Sequence, residues 1–311
     1  MVQNRCRRHA GFSSGRTHPR FSEGEAGNFT VNSPIATKSR PPIRLLAVDL
    51  DGTLLASDRR PHPRSAEALR RCRRAGVKVV LASGRVALTM APFADEIGLE
   101  RTFVCCNGAH VLDSAFGEVL HTPLPAEAAL AILDFGRRRA LQTNLYFRDR
   151  IAFGFRSAFG GVYLSRVRFG VVDGVTEEEI LRDPPTKMML LAEPEELARH
   201  QQEADDLASR LGLRTVLSEP DYLEFLVPSA DKGSGLRALS LHLGVAREAC
   251  AAIGDYSNDV EMLRWAGLSA AMANGNDEAK QAADLVVSSN DEGGVADFVE
   301  RFVLEGSPFS E

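Results

Sequence analysis

Near residue 45 the chain runs Leu45-Leu46-Ala47-Val48 and then breaks into Asp49-Leu50-Asp51-Gly52-Thr53. A continuous apolar run of this kind reads as a strand buried on both faces of a parallel sheet. Two carboxylates, one residue apart, stand at its end, and a glycine follows them. In open α/β sheets ligands bind beyond the carboxyl ends of the strands. Carboxylates are costly to bury there unless they are paired or bind a metal. Asp-Gly alone reads as a turn. Two carboxylates, Gly and Thr directly after such a strand read as a site.

The neighbouring segments repeat the same grammar. Ala66, Leu69 and Cys72 fall at helical spacing, which predicts a helix over 63–75 closed by Gly76. Residues 77–82 give a second buried strand ending in Ser83-Gly84-Arg85, with a helix over 86–97. Strand, helix and strand make a parallel βαβ unit. A hydroxyl and free backbone N–H groups at a helix start form a ready oxyanion site, which makes Ser83 and Gly84 candidates. A third strand, 102–106, ends in Asn107-Gly108-Ala109.

The grammar then changes from about 110 to 224. A hairpin around Asp113-Ser114, helices over 126–138 and 194–211, and strands at 143–147, 151–155, 188–191, 213–217 and 222–226 predict a separate α+β domain. Arg148, Arg150, Arg156 and Lys187 are its candidates for meeting an anionic substrate. Asp149 balances part of that charge locally.

Past Glu224 the buried strands return. Asp231-Lys232-Gly233 opens a helix through Leu236, Leu239 and Leu241. A cation in a helix's first turn is disfavoured by the dipole, a cost that a nearby anion offsets. Residues 250–253 form a strand leading into Gly254-Asp255-Tyr256-Ser257-Asn258-Asp259 and a helix carrying Val260, Met262 and Leu263. Two carboxylates and an amide in one strand-to-helix turn are a poor arrangement unless a cation binds. A strand at 268–272, a loop carrying Asn274 and Asn276, a helix at 277–282, a strand at 285–287 and a last helix from Gly293 complete the pattern.

Composition removes other classes. The 311 residues carry a formal net charge of -5, so no global basic field draws the chain to nucleic acid or membrane. No apolar run reaches the roughly 18–20 residues that span a bilayer. Five cysteines without a Cys-x-x-Cys pair read as reduced thiols of a cytoplasmic chain, not a disulfide frame or zinc site. Residues 1–42 hold Arg5, Arg7, Arg8, Arg16 and Arg20 with no acid before Glu23 and no apolar periodicity, and are expected to be disordered. This segment is compatible with an organellar transit peptide or with an extension from an upstream start codon.

Four segments in order, Asp49-Leu50-Asp51-Gly52-Thr53, Ser83-Gly84-Arg85, Asp231-Lys232-Gly233 and Gly254-Asp255-Tyr256-Ser257-Asn258-Asp259, resemble the motifs of the haloacid dehalogenase superfamily. The insert between the second and third, with Asn107-Gly108-Ala109 at its start, resembles the cap of the Cof-type phosphatases. The likeness covers about 43 to 303. It implies an α/β fold, a Rossmann-like doubly wound parallel sheet core (43–108 and 227–305) with an inserted α+β cap domain (109–226).

It also implies roles. Asp49 is the nucleophile, giving an aspartyl phosphate, and Asp51 the general acid and base. Lys232 neutralises the phosphoryl group and the nucleophile. Ser83, Gly84 and Asn258 bind phosphate. Mg²⁺ is held by Asp49, the Asp51 carbonyl and Asp255. Thr53 positions Asp51 or the flap, and Asp259 holds the metal's waters or Lys232. The expected partner is a small phosphorylated metabolite, a sugar phosphate first, with nucleotide or flavin phosphates as alternatives. Monomer and homodimer both stay open. A phosphomutase of the phosphomannomutase type and a catalytically silent interaction protein are the competing functional readings.

Overall fold

The computed structural model describes residues 30–31, 41–115, 117–166 and 171–304. Its larger sheet has nine strands in the spatial order Thr30–Val31, Leu285–Val287, Leu268–Met272, Cys250–Gly254, Leu45–Asp49, Lys78–Ala82, Phe103–Cys105, His110–Asp113 and Gly117–His121. The run from Leu285–Val287 to Phe103–Cys105 is parallel throughout. Leu45–Asp49 lies in the middle of it and is buried along its whole length.

Its side chains alternate between two cores, as a pleated strand requires. Leu46 and Val48 join the cluster that holds Leu69, Cys72 and Phe298, from the helices Pro63–Arg74 and Gly294–Phe298. Leu45 and Ala47 join the cluster of Leu236, Leu239 and Met262, from the helices Lys232–His242 and Val260–Trp265. Helices therefore cover both faces, which is the doubly wound α/β arrangement. Asp49 shares the parity of Leu45 and Ala47, so it points to the face whose helix begins at Lys232.

The second sheet has six strands in the order Arg214–Glu219, Tyr222–Leu226, Lys187–Leu191, Gln142–Tyr146, Ile151–Phe155 and Val171–Asp173. One face carries Leu145, Met188, Leu190 and Phe225 and packs on the helices Ala126–Arg138 and Pro194–Arg210. The register Lys187↔Tyr146 and Met189↔Asn144↔Glu224 puts Asn144, Tyr146, Lys187 and Glu224 on the other face. That face is polar and buried, and part of it is covered by a helix, Phe159–Arg166, through Tyr163.

Two readings from the sequence change here. The hairpin strands His110–Asp113 and Gly117–His121, expected in the inserted domain, extend the nine-stranded sheet by antiparallel pairing onto Phe103–Cys105. The excursion to the second sheet therefore starts after His121, not at 109. Within the segment read as disordered, Thr30–Val31 pairs with Leu285–Val287; the rest of 1–40 lies outside the described residues. Among the described residues no helix is long and apolar enough to cross a membrane. Cys72, Cys105, Cys106 and Cys250 are free and buried; Cys6 lies outside the described residues.

Candidate active site

Three strand ends converge where the parallel strands finish. Leu45–Asp49 delivers Asp49, Cys250–Gly254 delivers Asp255 through the turn that follows it, and Lys78–Ala82 delivers Ser83. The carboxylates of Asp49, Asp255 and Asp259 place ligand atoms within 4.8 Å of one another, and all three residues are buried.

Lys232 enters this cluster from the first turn of its helix. The residue is wholly buried, and its Nζ donates to Asp49 Oδ1 and Asp259 Oδ1, each at 2.6 Å. The anions expected to offset the helix dipole are therefore these two aspartates. Asp231 caps the same helix, accepting from the Ser234 N–H at 2.7 Å.

One ammonium against three carboxylates leaves the cluster with excess negative charge. Burial pushes the Asp49 carboxyl well above the usual carboxylate range; Lys232 pulls it down, while Asp259 and Asp255 add to the rise. Burial and then the Asp259 charge raise Asp255 to about 6, with the Thr53 hydroxyl pulling the other way. Burial disfavours the Lys232 charge, but Asp259 and Asp49 outweigh it and hold the ammonium above its ordinary range.

The donor set fits a hard divalent cation, which prefers carboxylate, carbonyl and water oxygens. The oxygens are not equivalent. Asp259 engages both of its own, Oδ1 with Lys232 and Oδ2 with the N–H groups of Asp255 and Tyr256. In the same network Asp49 and Asp255 each engage Oδ1, with Lys232 and with Thr53.

Gly52 allows the close fit. Its φ is +80°, and a Cβ there would lie 2.4 Å from Asp255 Oδ2. Thr53, expected to position Asp51 or the flap, turns its hydroxyl to Asp255, with Oγ1 donating to Asp255 Oδ1 at 2.9 Å. Asn274 Nδ2 donates to the Gly52 carbonyl at 2.8 Å and so braces the turn, while Asn276 caps the helix Asp277–Ala282.

Asp51 stands apart from the cluster. Its side chain is 54% exposed, and both its oxygens accept from Arg85, at 2.8 and 2.6 Å. Ser83 is buried and its Oγ accepts from the Arg85 N–H at 3.2 Å. Gly84 lies against Asn107, and Asn258 Nδ2 donates to Asn107 Oδ1 at 3.2 Å.

The four cations proposed from the sequence to meet an anionic substrate each have a carboxylate partner. Arg148 pairs with Asp183, Arg150 with Asp149, Arg156 with Asp173 and Lys187 with Glu224. Lys187 belongs to a network that reaches the carboxylate turn through Glu224 and Asn107, and Arg148 also lies 4.0 Å from Glu118, which meets His110 on the nine-stranded sheet.

Sequence reasoning missed three residues here: Arg85, Asn107 and Glu224. Arg85 was visible in the Ser-Gly-Arg wording but had no partner until the fold brought Asp51 beside it. Asn107 stood in the Asn107-Gly108-Ala109 wording at the start of the insert but without a role, and nothing local marks Glu224, 117 positions further along the chain.

The geometry agrees with what the chain is similar to. The model of the haloacid dehalogenase-like hydrolases matches residues 46–299. The pyridoxal phosphate phosphatase YbhA of Escherichia coli is 28% identical over 84% of this chain and 99% of its own. The 5-amino-6-(5-phospho-D-ribitylamino)uracil phosphatase YitU of Bacillus subtilis is 28% identical over 83% and 97%. Among solved structures, TM0651 from Thermotoga maritima superposes with a TM-score of 0.76 at 25% identity, covering 84% of this chain and 97% of its own. With the family model spanning the whole carboxylate cluster and all of the second sheet, the chain belongs to the haloacid dehalogenase-like hydrolases and is a phosphoric monoester hydrolase.

Proposed function

We propose that the chain is a Mg²⁺-dependent phosphatase of a small phosphorylated metabolite, working through an aspartyl phosphate on Asp49. The observation that carries this reading is the buried Asp49–Lys232–Asp259 arrangement beside Asp255, a carboxylate nucleophile held against an ammonium in a site with negative charge to spare.

Asp49, Asp255 and the backbone carbonyl of Asp51 would hold the Mg²⁺. Bound there, the ion shields the carboxylate from the phosphate dianion and draws charge from the phosphoryl oxygens. Lys232 fixes the Asp49 carboxylate through Oδ1, leaving Oδ2 to attack phosphorus in line. The attack makes the Asp49–phosphorus bond and breaks the bond to the leaving alcohol. Ser83 and Asn258 donate to the equatorial oxygens, where charge spreads as the bond breaks. Asp51, released from Arg85 and protonated from solvent, gives its proton to the leaving alcohol and then takes one from the water that hydrolyses the acyl phosphate. Arg85, gripping both Asp51 oxygens, sets where that carboxyl waits between turnovers. A sugar phosphate is the first substrate to try, with pyridoxal phosphate and phosphorylated ribityl compounds next, because relatives bear those names.

The test is release of inorganic phosphate from a panel of sugar, nucleotide and cofactor monophosphates, with and without Mg²⁺. Metal-dependent release supports the reading. Exchange between hexose 1- and 6-phosphates without net release would replace hydrolysis by transfer.

A further inference from the structure

A run of buried and half-buried side chains joins the second sheet to the carboxylate turn, and the chemistry above uses only its last member, Asn258. It starts at Glu224, which is 3% exposed. Lys187 Nζ lies 2.8 Å from Glu224 Oε2, and Ser218 Oγ donates to Oε1 at 2.9 Å. Asn107 Nδ2 donates to the same Oε2 at 3.3 Å, and Asn107 Oδ1 accepts from Asn258 Nδ2 at 3.2 Å.

The order of donors and acceptors in this run is forced. An ionised carboxylate only accepts, so Asn107 has to turn its NH₂ towards Glu224. Its carbonyl oxygen then faces the other way and can only accept, so Asn258 has to present its own NH₂. One hydrogen of that group goes to Asn107, and the second stays available. Phosphate oxygens at neutral pH are acceptors, so an NH₂ suits them and a flipped carbonyl would repel them.

The backbone at Asn107 is built for this reach. Cys106 and Asn107 both have left-handed φ values, +50° and +52°. Two successive non-glycine residues in that region are strained, a state that persists where the surrounding structure holds it. Asn is among the residues that tolerate it best. Gly84 leaves the space that the amide occupies, since a Cβ on Gly84 would lie 3.3 Å from Asn107 Oδ1.

We infer that Asn107 is a positioning residue which carries the polarity of the Glu224 carboxylate to Asn258, so that Asn258 offers an N–H to the phosphoryl group. The second sheet thereby sets the grip on phosphate, independently of whatever leaving group it contacts. This rests on the phosphatase reading.

The probe is inorganic phosphate, which has no leaving group, measured as a competitive inhibitor of the best substrate in the panel. Asn107→Gly deletes the amide and keeps the left-handed backbone, because glycine enters that region freely. It is expected to raise the phosphate inhibition constant about tenfold, the scale of a hydrogen bond to a charged group. Asn258→Ala should do the same, and the double variant should be no weaker than either single one. Lys187→Gln/Glu224→Gln, which removes the charge and keeps the volume, should raise the constant by less and add nothing on top of Asn107→Gly. Multiplicative effects of Asn107→Gly and Asn258→Ala, or an unchanged inhibition constant in a folded Asn107→Gly, overturn the inference while wild-type turnover keeps the phosphatase reading intact. No phosphate release by wild type from any substrate, with or without Mg²⁺, overturns that reading and the inference with it.

Discussion

Among the described residues two lysines are buried on carboxylates, and the two sites differ in how their charge is balanced. Lys187, on the second sheet, meets Glu224 at 2.8 Å, and Ser218 and Asn107 donate to the same carboxylate. One positive charge faces one negative charge, and the pair is closed. Lys232 meets Asp49 and Asp259, with Asp255 beside them. One positive charge faces three carboxylates, and the cluster stays open to a cation. Burial alone therefore does not distinguish scaffold from chemistry. The charge left over after the internal partners are matched does.

The largest effect should follow removal of the lysine on the open side. Lys232→Met leaves the Asp49 carboxylate without its partner and should lower kcat/KM by at least about a thousandfold in steady-state assays, the scale of losing an electrostatic contact to the reacting group. It should also cost about 3–5 kcal/mol of stability in denaturant titration, as breaking one side of a buried pair does. Mg²⁺ should restore part of that stability and none of the activity. Lys187→Met should cost a similar amount of stability and, in the folded fraction, no more than about tenfold in kcat/KM. Equal loss of activity in both variants would break the comparison.

A smaller effect concerns pH. Asp49 and Asp255 both have raised pKa values in the folded chain. Between about pH 4, where such groups ionise in an unfolded chain, and about pH 6, the value for Asp255, the metal-free fold binds more protons than the unfolded chain. Its stability is therefore greater below this window and is lost as pH rises through it. Cation binding needs the ionised carboxylates. The melting temperature gain from Mg²⁺ should thus be larger at about pH 7.5 than at about pH 5, and scanning calorimetry with and without the ion reads both arms. A gain that is equal at the two pH values would mean the ion binds elsewhere.

The smallest predicted effect is at Arg85. Lysine keeps the charge but cannot hold both Asp51 oxygens in a planar fork. Arg85→Lys should lower kcat several-fold and leave the inhibition constant of inorganic phosphate unchanged. A rise in that constant would place Arg85 on the phosphate instead.

The core was legible in the sequence because its strands are buried on both faces. Continuous runs such as Leu45–Asp49 and Cys250–Gly254 show themselves without knowledge of their neighbours, and the polar turns after them stand out by contrast. The second sheet was harder. Its short helices, Phe159–Arg166 and Glu177–Arg182, offered little periodicity. For the latter a signal was there, since Thr176 and Glu179 form a capping box. The hairpin at 110–121 was visible as two strands, but sheet membership depends on pairing with Phe103–Cys105, and hydropathy does not encode the partner. The same limit applies to side chains. Asp49 and Asp255 were found because carboxylates at those positions are poor structural choices, and Lys232 through the resemblance of Asp231-Lys232-Gly233 to the family's motif. Asn107 and Arg85 acquire a reason only once Glu224 and Asp51 are beside them.

The most direct measurement is a rapid-quench single turnover with a substrate labelled in its phosphoryl group, in the presence of Mg²⁺. The account predicts transient label on the protein, recovered on the peptide that carries Asp49, and neither label nor phosphate release from Asp49→Asn. Label on another residue, turnover without any labelled protein, or phosphate release that survives in Asp49→Asn would contradict it.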